Sequence, residues 1–578
     1  MTDLAQSRSR PLATALRAAA PDTPVEAALA KGRSRLLMLG AMFGLAFLVV
    51  AGRLVDVTLL SASEEPRIAQ ATPRSAEAER ADIVDRNGTL LASSLPTPSL
   101  YANPKQVIDA ADAARRLAQV LPGINEADLR ARLSEDRTFV WVKRQLTPRQ
   151  QSDVIRLGLP GLNFHRDERR VYPQGRLASH VIGFSGVDHV GLQGVERALD
   201  ARVRDGGGPL QLALDLRLQH VLRDELVKAV AEFRAIGAAG LIMDVHSAEI
   251  VAMVSLPDFD PNSPGTANPD TLFNRVTLGT YEMGSTFKIF TTAMALDSGR
   301  TSLNGGYDAT RPIKISRFTI DDYKPKRRWL TVPEIFKYSS NIGSVKMALD
   351  VGIAGQRAFL DRLGLLSTPS LELPEVGHPL VPNPWREINA MTIAFGHGLS
   401  VTPLQMTTAT AAVVNGGILR KPTLLKVPYG THPDGTRVMK ARTSDDMRRL
   451  LHLVVTDGTG KKAAAAGYMV GGKTGTAEKA AGRGYRKKAL LSSFVGAFPI
   501  NDPQFALLVM IDEPQASAET HGYATGGWVA APTVARIVER IAPLVGVLPI
   551  DESSPEIRRD LVLQASAPAP ARRANAPR

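Results

Sequence analysis

The stretch Tyr281-Glu282-Met283-Gly284-Ser285-Thr286-Phe287-Lys288 holds a serine and a lysine separated by two residues, a spacing that occurs once in the chain. If Ser285 begins a helix, its hydroxyl and the amine of Lys288 lie on one face. Serine needs an adjacent base to act as a nucleophile. An amine is a base only when neutral, so the pKa of Lys288 must fall by about three units. A capped helix with a surface lysine is the more frequent explanation of Ser-x-x-Lys alone, so the interpretation depends on other motifs.

Two further motifs follow this stretch. Ser339-Ser340-Asn341 is a Ser-x-Asn motif, and Lys473-Thr474-Gly475-Thr476 contains the one Lys-Thr-Gly of the chain. Ser302-Leu303-Asn304 also matches Ser-x-Asn, but it lies too near Lys288 to be a separate element. The three motifs in this order are the signature of acyl-serine transferases. On these residues the chain resembles the penicillin-binding proteins.

Sequence upstream of the serine carries the same resemblance. The run Arg80-Ala81-Asp82-Ile83-Val84-Asp85-Arg86-Asn87-Gly88 resembles the Arg-Gly-x-Ile-x-Asp-Arg-Asn-Gly segment that opens the pedestal of class B members, with Ala81 in place of the glycine. Its Asn87-Gly88 pair, between apolar flanks, predicts a hairpin turn. Residues 169–184 and 191–196 are also similar to pedestal motifs of that family.

The resemblance runs from about Arg80 to about Ile541 and implies an α+β fold. This is the penicillin-binding transpeptidase fold, an antiparallel sheet flanked by helices, preceded by a pedestal (dimerisation-like) domain and one transmembrane helix. Gly206-Gly207-Gly208 marks the boundary between the two domains. The expected divisions are a cytoplasmic tail (1–35), a transmembrane anchor (36–60), the pedestal (61–208), the transpeptidase domain (209–548) and a disordered tail (549–578).

Periodicity places the main elements of the second domain. It predicts an amphipathic helix over about 217–234, a strand hairpin over 240–245 and 249–254, and a closing helix over 533–543. Lys473 is expected to open a strand and Phe494 its neighbour. The resemblance implies five strands, with Lys473–Thr476 as the middle strand beside the Ser285 helix.

The resemblance also implies the roles of the motif residues. Ser285 is the nucleophile and Lys288 its base, while Ser339 and Lys473 relay a proton to the leaving amine. Lys473 also adds positive potential that keeps Lys288 neutral. Backbone N–H groups of Ser285 and Thr476 form the oxyanion hole. The substrate-binding residues are Asn341 for the acyl-side amide, Gly475 for close approach of a substrate strand, and the hydroxyls of Thr474 and Thr476 for a carboxylate.

Composition excludes several other functions. The 578 residues include no cysteine, so thiolate chemistry and disulfides are excluded. The net charge of +13 is spread out, with part of it at the two ends, and no aromatic-basic module accompanies it, so nucleic-acid binding is not expected. Gly460-Lys461 lacks the first glycine and the Ser/Thr of a P-loop. No metal-ligand cluster is visible, and we expect no metal and no cofactor.

An uncharged run from Leu36 to Gly52 predicts a membrane anchor. With Leu54-Val55 and residues 57–60 it reaches the length of a span, and Arg53 and Asp56, which interrupt this extension, are expected at the far interface. Five arginines and Lys31 precede the run, so the N-terminus is expected in the cytoplasm and the catalytic domain in the periplasm of a bacterial inner membrane. The alternative is a cleaved signal peptide ending at Ser61-Ala62-Ser63.

The resemblance implies a peptidoglycan D,D-transpeptidase that cross-links stem peptides through an acyl-serine and is a target of beta-lactams. Chain length and the pedestal runs look most like the septal members that act in cell division. The elongation-specific class B members and a non-catalytic penicillin-binding scaffold are the alternatives. The implied partners are peptidoglycan stem peptides on lipid-linked or nascent glycan, beta-lactams, the membrane, a polytopic FtsW-type glycosyltransferase and other divisome proteins.

Two further alternatives concern individual side chains. His397 suggests a Ser-His pair, but nothing supplies a third member, so we expect it to be structural. A serine beta-lactamase would need a glutamate in a Glu-x-x-Leu-Asn stretch to activate water. None of Glu372, Glu375 and Glu387 begins that pattern, and all three are expected to be solvated loop charges.

Overall fold

The computed structural model describes residues 24–55, 80–315, 318–481 and 484–563. The chain divides into two compact units, Met1–Glu77 and Ala78–Arg578. In the first, α1 (Pro24–Val55) contains a segment, Gly32–Arg53, that is long and apolar enough to cross a membrane. The predicted span is therefore helical as far as Val55. Residues 1–23, 56–60 and the possible cleavage site lie outside the described residues.

The pedestal part of the second unit combines short helices with a sheet in the order β3-β2-β1-β7, in which β4 also pairs with β2. Its strands are β1 (Ile83–Val84), β2 (Leu90–Ala102), β3 (Val140–Lys143), β4 (Leu162–Val171), β5 (Phe184–Ser185), β6 (Gly191–Gln193) and β7 (Leu210–Gln211). Its helices are α2 (Ala110–Val120), α3 (Glu126–Leu133), α4 (Pro148–Arg156), α5 (Ser179–Ile182), α6 (Gly194–Ala198) and α7 (Asp200–Arg204).

The upstream runs singled out in the sequence meet in this pedestal. The Asn87-Gly88 pair lies in the predicted turn between β1 and β2, and Gly88 has the positive φ of 86° that such turns favour. The fully buried carboxylate of Glu196 accepts hydrogen bonds from Nε of Arg80 and Nε of Arg170, both at 2.7 Å. The two guanidinium groups compensate the cost of burying the carboxylate. This cluster therefore links the three upstream runs without leaving an unpaired buried charge.

The transpeptidase part contains the remaining elements. Its strands are β8 (Gly237–Asp244), β9 (Ile250–Leu256), β10 (Gly306–Asp308), β11 (Ile313–Ile315), β12 (Phe318–Ile320), β13 (Trp329–Thr331), β14 (Ile418–Arg420), β15 (Gly435–Arg437), β16 (Gly471–Ala481), β17 (Gly484–Phe498) and β18 (Phe505–Asp512). Its helices are α8 (Leu216–Glu232), α9 (Pro269–Leu272), α10 (Lys288–Asp297), α11 (Val332–Tyr338), α12 (Asn341–Val351), α13 (Ile353–Arg362), α14 (Glu387–Ile393), α15 (Pro403–Val414), α16 (Ala441–Asp457), α17 (Ala530–Ile541) and α18 (Pro555–Leu561).

Five antiparallel strands form the central sheet, in the order β16-β17-β18-β8-β9. Side chains along a strand alternate between its faces. In β18, Leu507 and Val509 pack with α8 and α17, whereas Leu508 and Met510 join the larger core on the other face. The α+β fold expected from the sequence is confirmed.

Three expectations about single elements are wrong. The strand that holds Lys473–Thr476 is the edge strand of the sheet and not its middle strand, because strand order depends on distant pairing. Phe494 lies near the end of β17, which begins at Gly484. Part of the expected disordered tail is α18, where Leu561 is buried against the core and the main-chain oxygen of Asp560 accepts a bond from Arg449.

Candidate active site

Ser285 lies in a single turn of 3-10 helix, Gly284–Phe287, and α10 begins at Lys288. Backbone contacts fix this turn. The N–H of Gly284 donates to the carbonyl of Gly396 at 3.1 Å. A Cβ on Gly396 would lie 2.0 Å from the carbonyl oxygen of Gly284, so only glycine allows this approach. The segment that leads into this 3-10 turn and ends at the serine, residues 282–285, is called the nucleophile turn below.

The amine of Lys288 occupies a closed cage of acceptors. Lys288 is 1% exposed. Its Nζ lies 3.0 Å from Oγ of Ser285, 2.7 Å from Oδ1 of Asn341, 2.7 Å from the main-chain oxygen of Ser339 and 3.0 Å from Oγ of Ser339. The first two motifs therefore meet at one nitrogen atom. Such a distance allows direct proton transfer from the hydroxyl of Ser285 when the amine is neutral.

The environment favours that neutral form. Burial, followed by the positive charge of Lys473, lowers the pKa of Lys288 well below its ordinary value, and Asp322 opposes the shift. Burial alone lowers the pKa of Lys473 to about 7. Both directions agree with the fall in the pKa of Lys288 and the contribution of Lys473 that were expected from the sequence.

Ser339 joins the two lysines. Its Oγ lies 3.0 Å from Nζ of Lys288 and 3.1 Å from Nζ of Lys473. The residue caps the C-terminus of α11 in a left-handed conformation, with φ 59° and ψ 45°. Non-glycine residues adopt this conformation at a cost, and they are concentrated at functional sites. The strained backbone turns both the carbonyl and the hydroxyl of Ser339 toward Lys288.

The third motif lies along the unpaired edge of the sheet. Within the described ranges β16 pairs with β17 alone. Gly475 faces the nucleophile turn: a Cβ at this position would lie 2.7 Å from the carbonyl oxygen of Met283. On the opposite side of the strand, Oγ1 of Thr474 lies 2.8 Å from Oγ1 of Thr459, and Oγ1 of Thr476 accepts the N–H of Gly526 at 3.1 Å.

Asp321 and Asp322 also shape the site, although the sequence does not predict a role for them. The carboxylate of Asp322 accepts bonds from Oγ of Ser340 and the N–H of Ile342, and the carbonyl of Asp321 accepts Nδ2 of Asn341. These contacts hold the Ser-x-Asn segment at the start of α12. Two adjacent aspartates in a loop give no sequence signal, because their partners come from other elements.

His397 contacts Glu282 and takes no part in a Ser-His pair. Its Nδ1 lies 3.0 Å from Oε2 of Glu282. The expectation of a structural histidine is consistent with this contact.

The expectation that the three glutamates are solvated is wrong for two of them. Glu372 accepts bonds from Thr423 and Leu424, and Glu375 accepts the N–H of Gly194. Within the part of the chain that the structure describes, no group of His, Asp and Glu residues could hold a metal ion.

Comparison with known proteins identifies the class. Residues 238–539 match the family model of the penicillin binding protein transpeptidase domain, and residues 75–215 match that of the penicillin-binding protein dimerisation domain. The chain therefore belongs to the class B penicillin-binding proteins.

Curated relatives place it more closely. It is 42% identical, over 82% of each chain, to the probable peptidoglycan D,D-transpeptidase FtsI of Caulobacter vibrioides. It is 33% identical to PenA of Neisseria gonorrhoeae, over 82% of this chain and 85% of PenA. It is 30% identical to FtsI of Escherichia coli, over 81% of this chain and 84% of that protein.

Solved structures show the same fold. A peptidoglycan synthetase from Bifidobacterium adolescentis aligns with a TM-score of 0.66 at 21% identity, covering 83% of this chain and 98% of that one. Penicillin binding protein 3 from Mycobacterium tuberculosis, complexed with aztreonam, aligns with a TM-score of 0.65 at 24% identity, covering 85% and 99%.

Proposed function

We propose that the chain is a peptidoglycan D,D-transpeptidase that cross-links stem peptides through an ester at Ser285, with Lys288 as its base. The observation that carries the proposal is the buried amine of Lys288, whose pKa is lowered and which lies 3.0 Å from Oγ of Ser285. The names of the curated relatives support the peptide substrate and the transpeptidation.

Acylation begins when Lys288 takes the proton of the Ser285 hydroxyl. The oxygen attacks the carbonyl carbon of the penultimate D-Ala and forms a tetrahedral oxyanion. The N–H groups of Ser285 and Thr476 stabilise this charge. The close approach of the nucleophile turn to β16 at Gly284 and Thr476 supports that pairing, because a Cβ on Gly284 would lie 2.7 Å from the carbonyl oxygen of Thr476.

The carbon–nitrogen bond then breaks, and the leaving amine needs a proton. Lys288 returns the proton through the hydroxyl of Ser339, which lies between the two lysines. Terminal D-Ala leaves and the acyl group remains on Ser285. An amine of a neighbouring stem attacks this ester, gives up a proton and forms the cross-link, and the hydroxyl of Ser285 is restored.

The donor peptide binds along the open edge of β16. An extended peptide adds to such an edge through main-chain hydrogen bonds. Thr474 and Thr476 bind its terminal carboxylate, since each hydroxyl can make a bond beyond its internal one. Asn341 binds the acyl-side amide with its remaining hydrogen-bonding capacity, while Oδ1 holds Lys288. Beta-lactams enter the same site and acylate the same serine.

The names of two relatives support a septal role in cell division. The elongation-specific class B role is the runner-up, and the position of a fluorescent fusion, at midcell or along the sidewall, distinguishes the two. A non-catalytic scaffold would not need a buried lysine held against the serine.

Helix α1 anchors the protein in the inner membrane. The basic residues before Gly32–Arg53 favour a cytoplasmic N-terminus and a periplasmic catalytic domain. A single-pass anchor brings the pedestal near membrane partners, and we include among them an FtsW-type glycosyltransferase and other divisome proteins. The divisions at 61–208 and 209–548 remain part of this proposal.

The proposal is tested by intact-protein mass after a brief penicillin pulse, with Ser285→Ala beside the wild type. We expect one adduct on the wild type, none on Ser285→Ala, and the same melting temperature for both. The adduct should persist for many minutes to hours after free drug is removed, because no water-activating glutamate begins the lactamase pattern. Labelling that survives in Ser285→Ala, or an adduct lost within seconds with hydrolysed drug accumulating, would overturn the proposal.

A further inference from the structure

The carboxylate of Glu282, three residues before Ser285, has three hydrogen-bond donors from two other parts of the chain. His397 Nδ1 lies 3.0 Å from Oε2, the N–H of Gly398 donates to Oε1 at 2.9 Å, and the hydroxyl of Tyr485 donates to Oε2 at 3.0 Å. The Glu282 side chain is 13% exposed. The mechanism described above does not use the side chains of Glu282, His397 and Tyr485.

On one side, Glu282 completes a backbone pairing. Residues 281–284 run antiparallel to residues 396–401. Tyr281 and Val401 exchange two main-chain hydrogen bonds, and Gly284 donates to Gly396. Between these pairs the N–H of Gly398 is bound by the Glu282 carboxylate. The side chain thus continues the pairing where the backbone does not.

On the other side, Glu282 reaches the far part of the β16–β17 hairpin. Tyr485 lies opposite Ala480, four residues beyond Thr476 on β16. The ring of Tyr485 also packs edge-on against His397, with centroids 5.7 Å apart. The nucleophile turn is therefore tied both to residues 396–398 and to the hairpin that supplies Thr476.

The pKa shifts of this cluster favour an ionised carboxylate at Glu282 and a protonated, donating hydroxyl at Tyr485. Burial raises the pKa of Glu282, but the hydrogen bonds from His397, Gly398 and Tyr485 outweigh burial, and the pKa lies below its ordinary value. Burial, followed by the charge of Glu282, raises the pKa of Tyr485, so its hydroxyl remains a donor. Hydrogen bonds to an ionised group are about twice as strong as those between neutral groups.

We propose that Glu282, His397 and Tyr485 are positioning residues that hold the nucleophile turn in register with the edge strand. The relevant distance joins the N–H groups of Ser285 and Thr476, which come from the two elements that this cluster ties together. The inference rests on the proposed function, because it assumes that the acyl oxygen binds between these two groups. A small displacement of one donor weakens stabilisation of the oxyanion more than it weakens ground-state binding.

The test measures penicillin acylation of the full chain by stopped-flow and separates the dissociation constant of the initial complex from the acylation rate constant k2. Tyr485→Phe removes only the hydroxyl of a side chain that is 46% exposed, so the fold is retained. We expect k2 to fall about tenfold, with the dissociation constant and the melting temperature unchanged. Glu282→Gln and His397→Ala should lower k2 in the same way, and His397→Gln, which keeps a donor, should restore part of it.

Tyr307→Phe is the matched control. The hydroxyl of Tyr307 donates to Oδ2 of Asp350 at 2.9 Å, a bond of the same type that does not involve the motif residues. Its k2 should equal that of the wild type. An unchanged k2 in Tyr485→Phe, or a raised dissociation constant with k2 intact, would overturn the inference while Ser285 still acylates. Failure of the wild type to acylate would instead overturn the proposed function.

Discussion

Two buried lysines separated by one hydroxyl define the chemistry at the residue scale. We propose different tasks for them. Nζ of Lys288 lies 3.0 Å from Oγ of Ser285, as the proposed base must, whereas among the described residues Nζ of Lys473 hydrogen-bonds with Oγ of Ser339 and with the main-chain oxygen of Thr474.

Lys288→Arg and Lys473→Arg should therefore differ. Arginine cannot lose its proton in a protein. Lys288→Arg should lower the acylation rate by about 10²–10⁴-fold, the usual contribution of a general base. Lys473→Arg keeps the positive charge, and its loss should be about tenfold smaller. Acylation rates from fluorescent-penicillin labelling would measure both; equal losses would mean that Lys288 is not the base.

The burial of Lys473 also has a cost in stability that depends on pH. Its pKa falls from 10.5 to about 7 on folding, so the unfolded chain binds the proton more tightly. The destabilisation is complete below about pH 7 and fades as the pH rises toward 10.5, the value of the unfolded chain. Lys473→Met should abolish labelling and raise the free energy of unfolding by about 1–3 kcal/mol near neutrality.

Urea unfolding of both proteins between about pH 6 and about pH 10 measures this effect. The advantage of Lys473→Met should shrink as the pH is raised. An advantage that grows with pH, or none near neutrality, would contradict the lowered pKa.

The motif residues could be predicted because each motif consists of a few residue types at short, fixed spacings in the sequence. Ser285, Lys288, Ser339 and Lys473 meet as the three motifs indicated. Asp322 and the partners of Glu282 could not be predicted, since each acts through a contact between segments distant in the sequence. The sequence also predicts a hydroxyl at Ser339 but not the left-handed backbone that directs it.

At the scale of elements, the edge strand and the nucleophile turn are pressed together at Gly475. On the sequence alone, the close approach of a substrate strand explains this glycine. The structure gives a second reason, because a Cβ would also lie 2.8 Å from Cγ2 of Thr286 and 2.5 Å from Oγ of Ser493. The Met283 oxygen cannot move without displacing the turn.

Gly475→Ala should therefore destabilise the domain by about 1–3 kcal/mol, the usual cost of overpacking. It should also slow acylation, because the added methyl group pushes the turn away from β16. Unfolding and labelling rates would be measured together, with Gly265→Ala as control, since nothing lies within 4 Å of a Cβ there. Full stability and activity in Gly475→Ala would show that the strand and the turn are not in close contact.

The positions of strongly periodic helices and strands along the chain were predicted better than the order of the strands in the sheet. The helix expected over 217–234 is Leu216–Glu232, and the hairpin of β8 and β9 is present. The position of β16 at the edge was not predicted, since it depends on which strands pair with each other across long distances in the sequence. Helix α18 was not predicted because the Ala- and Pro-rich composition of the tail indicates disorder, and the burial of Leu561 against the core is not visible in the sequence.

At the scale of the whole molecule, anchoring and chemistry are separate along the chain. Every residue of the candidate site lies in the unit that begins at Ala78. A chain lacking residues 1–60 should be soluble, should label with penicillin at the wild-type rate, and should fail to support growth. Complementation of a depletion strain measures the last point; full complementation by an exported truncated form would show that the segment serves only as a signal.

The pedestal has a hydrophobic cluster of its own, formed by α2, α3 and α4 against β2 and β3. Other pedestal residues, including Ile83 and Tyr172, belong to the same core as the nucleophile segment. The sequence predicted a boundary at Gly206–Gly208, and that division stays a prediction because packing continues across it.

The unpaired edge of β16 has an evolutionary consequence. A ligand that pairs with this edge is bound by main-chain N–H and C=O groups, which every amino acid except proline supplies in full. A single side-chain replacement there leaves these main-chain bonds in place, and only the contacts that we propose for the hydroxyls of Thr474 and Thr476 can be lost in this way. Under selection by a drug that mimics an added strand, change is confined to the surroundings of the edge, and to the same contacts that align the enzyme's own substrate.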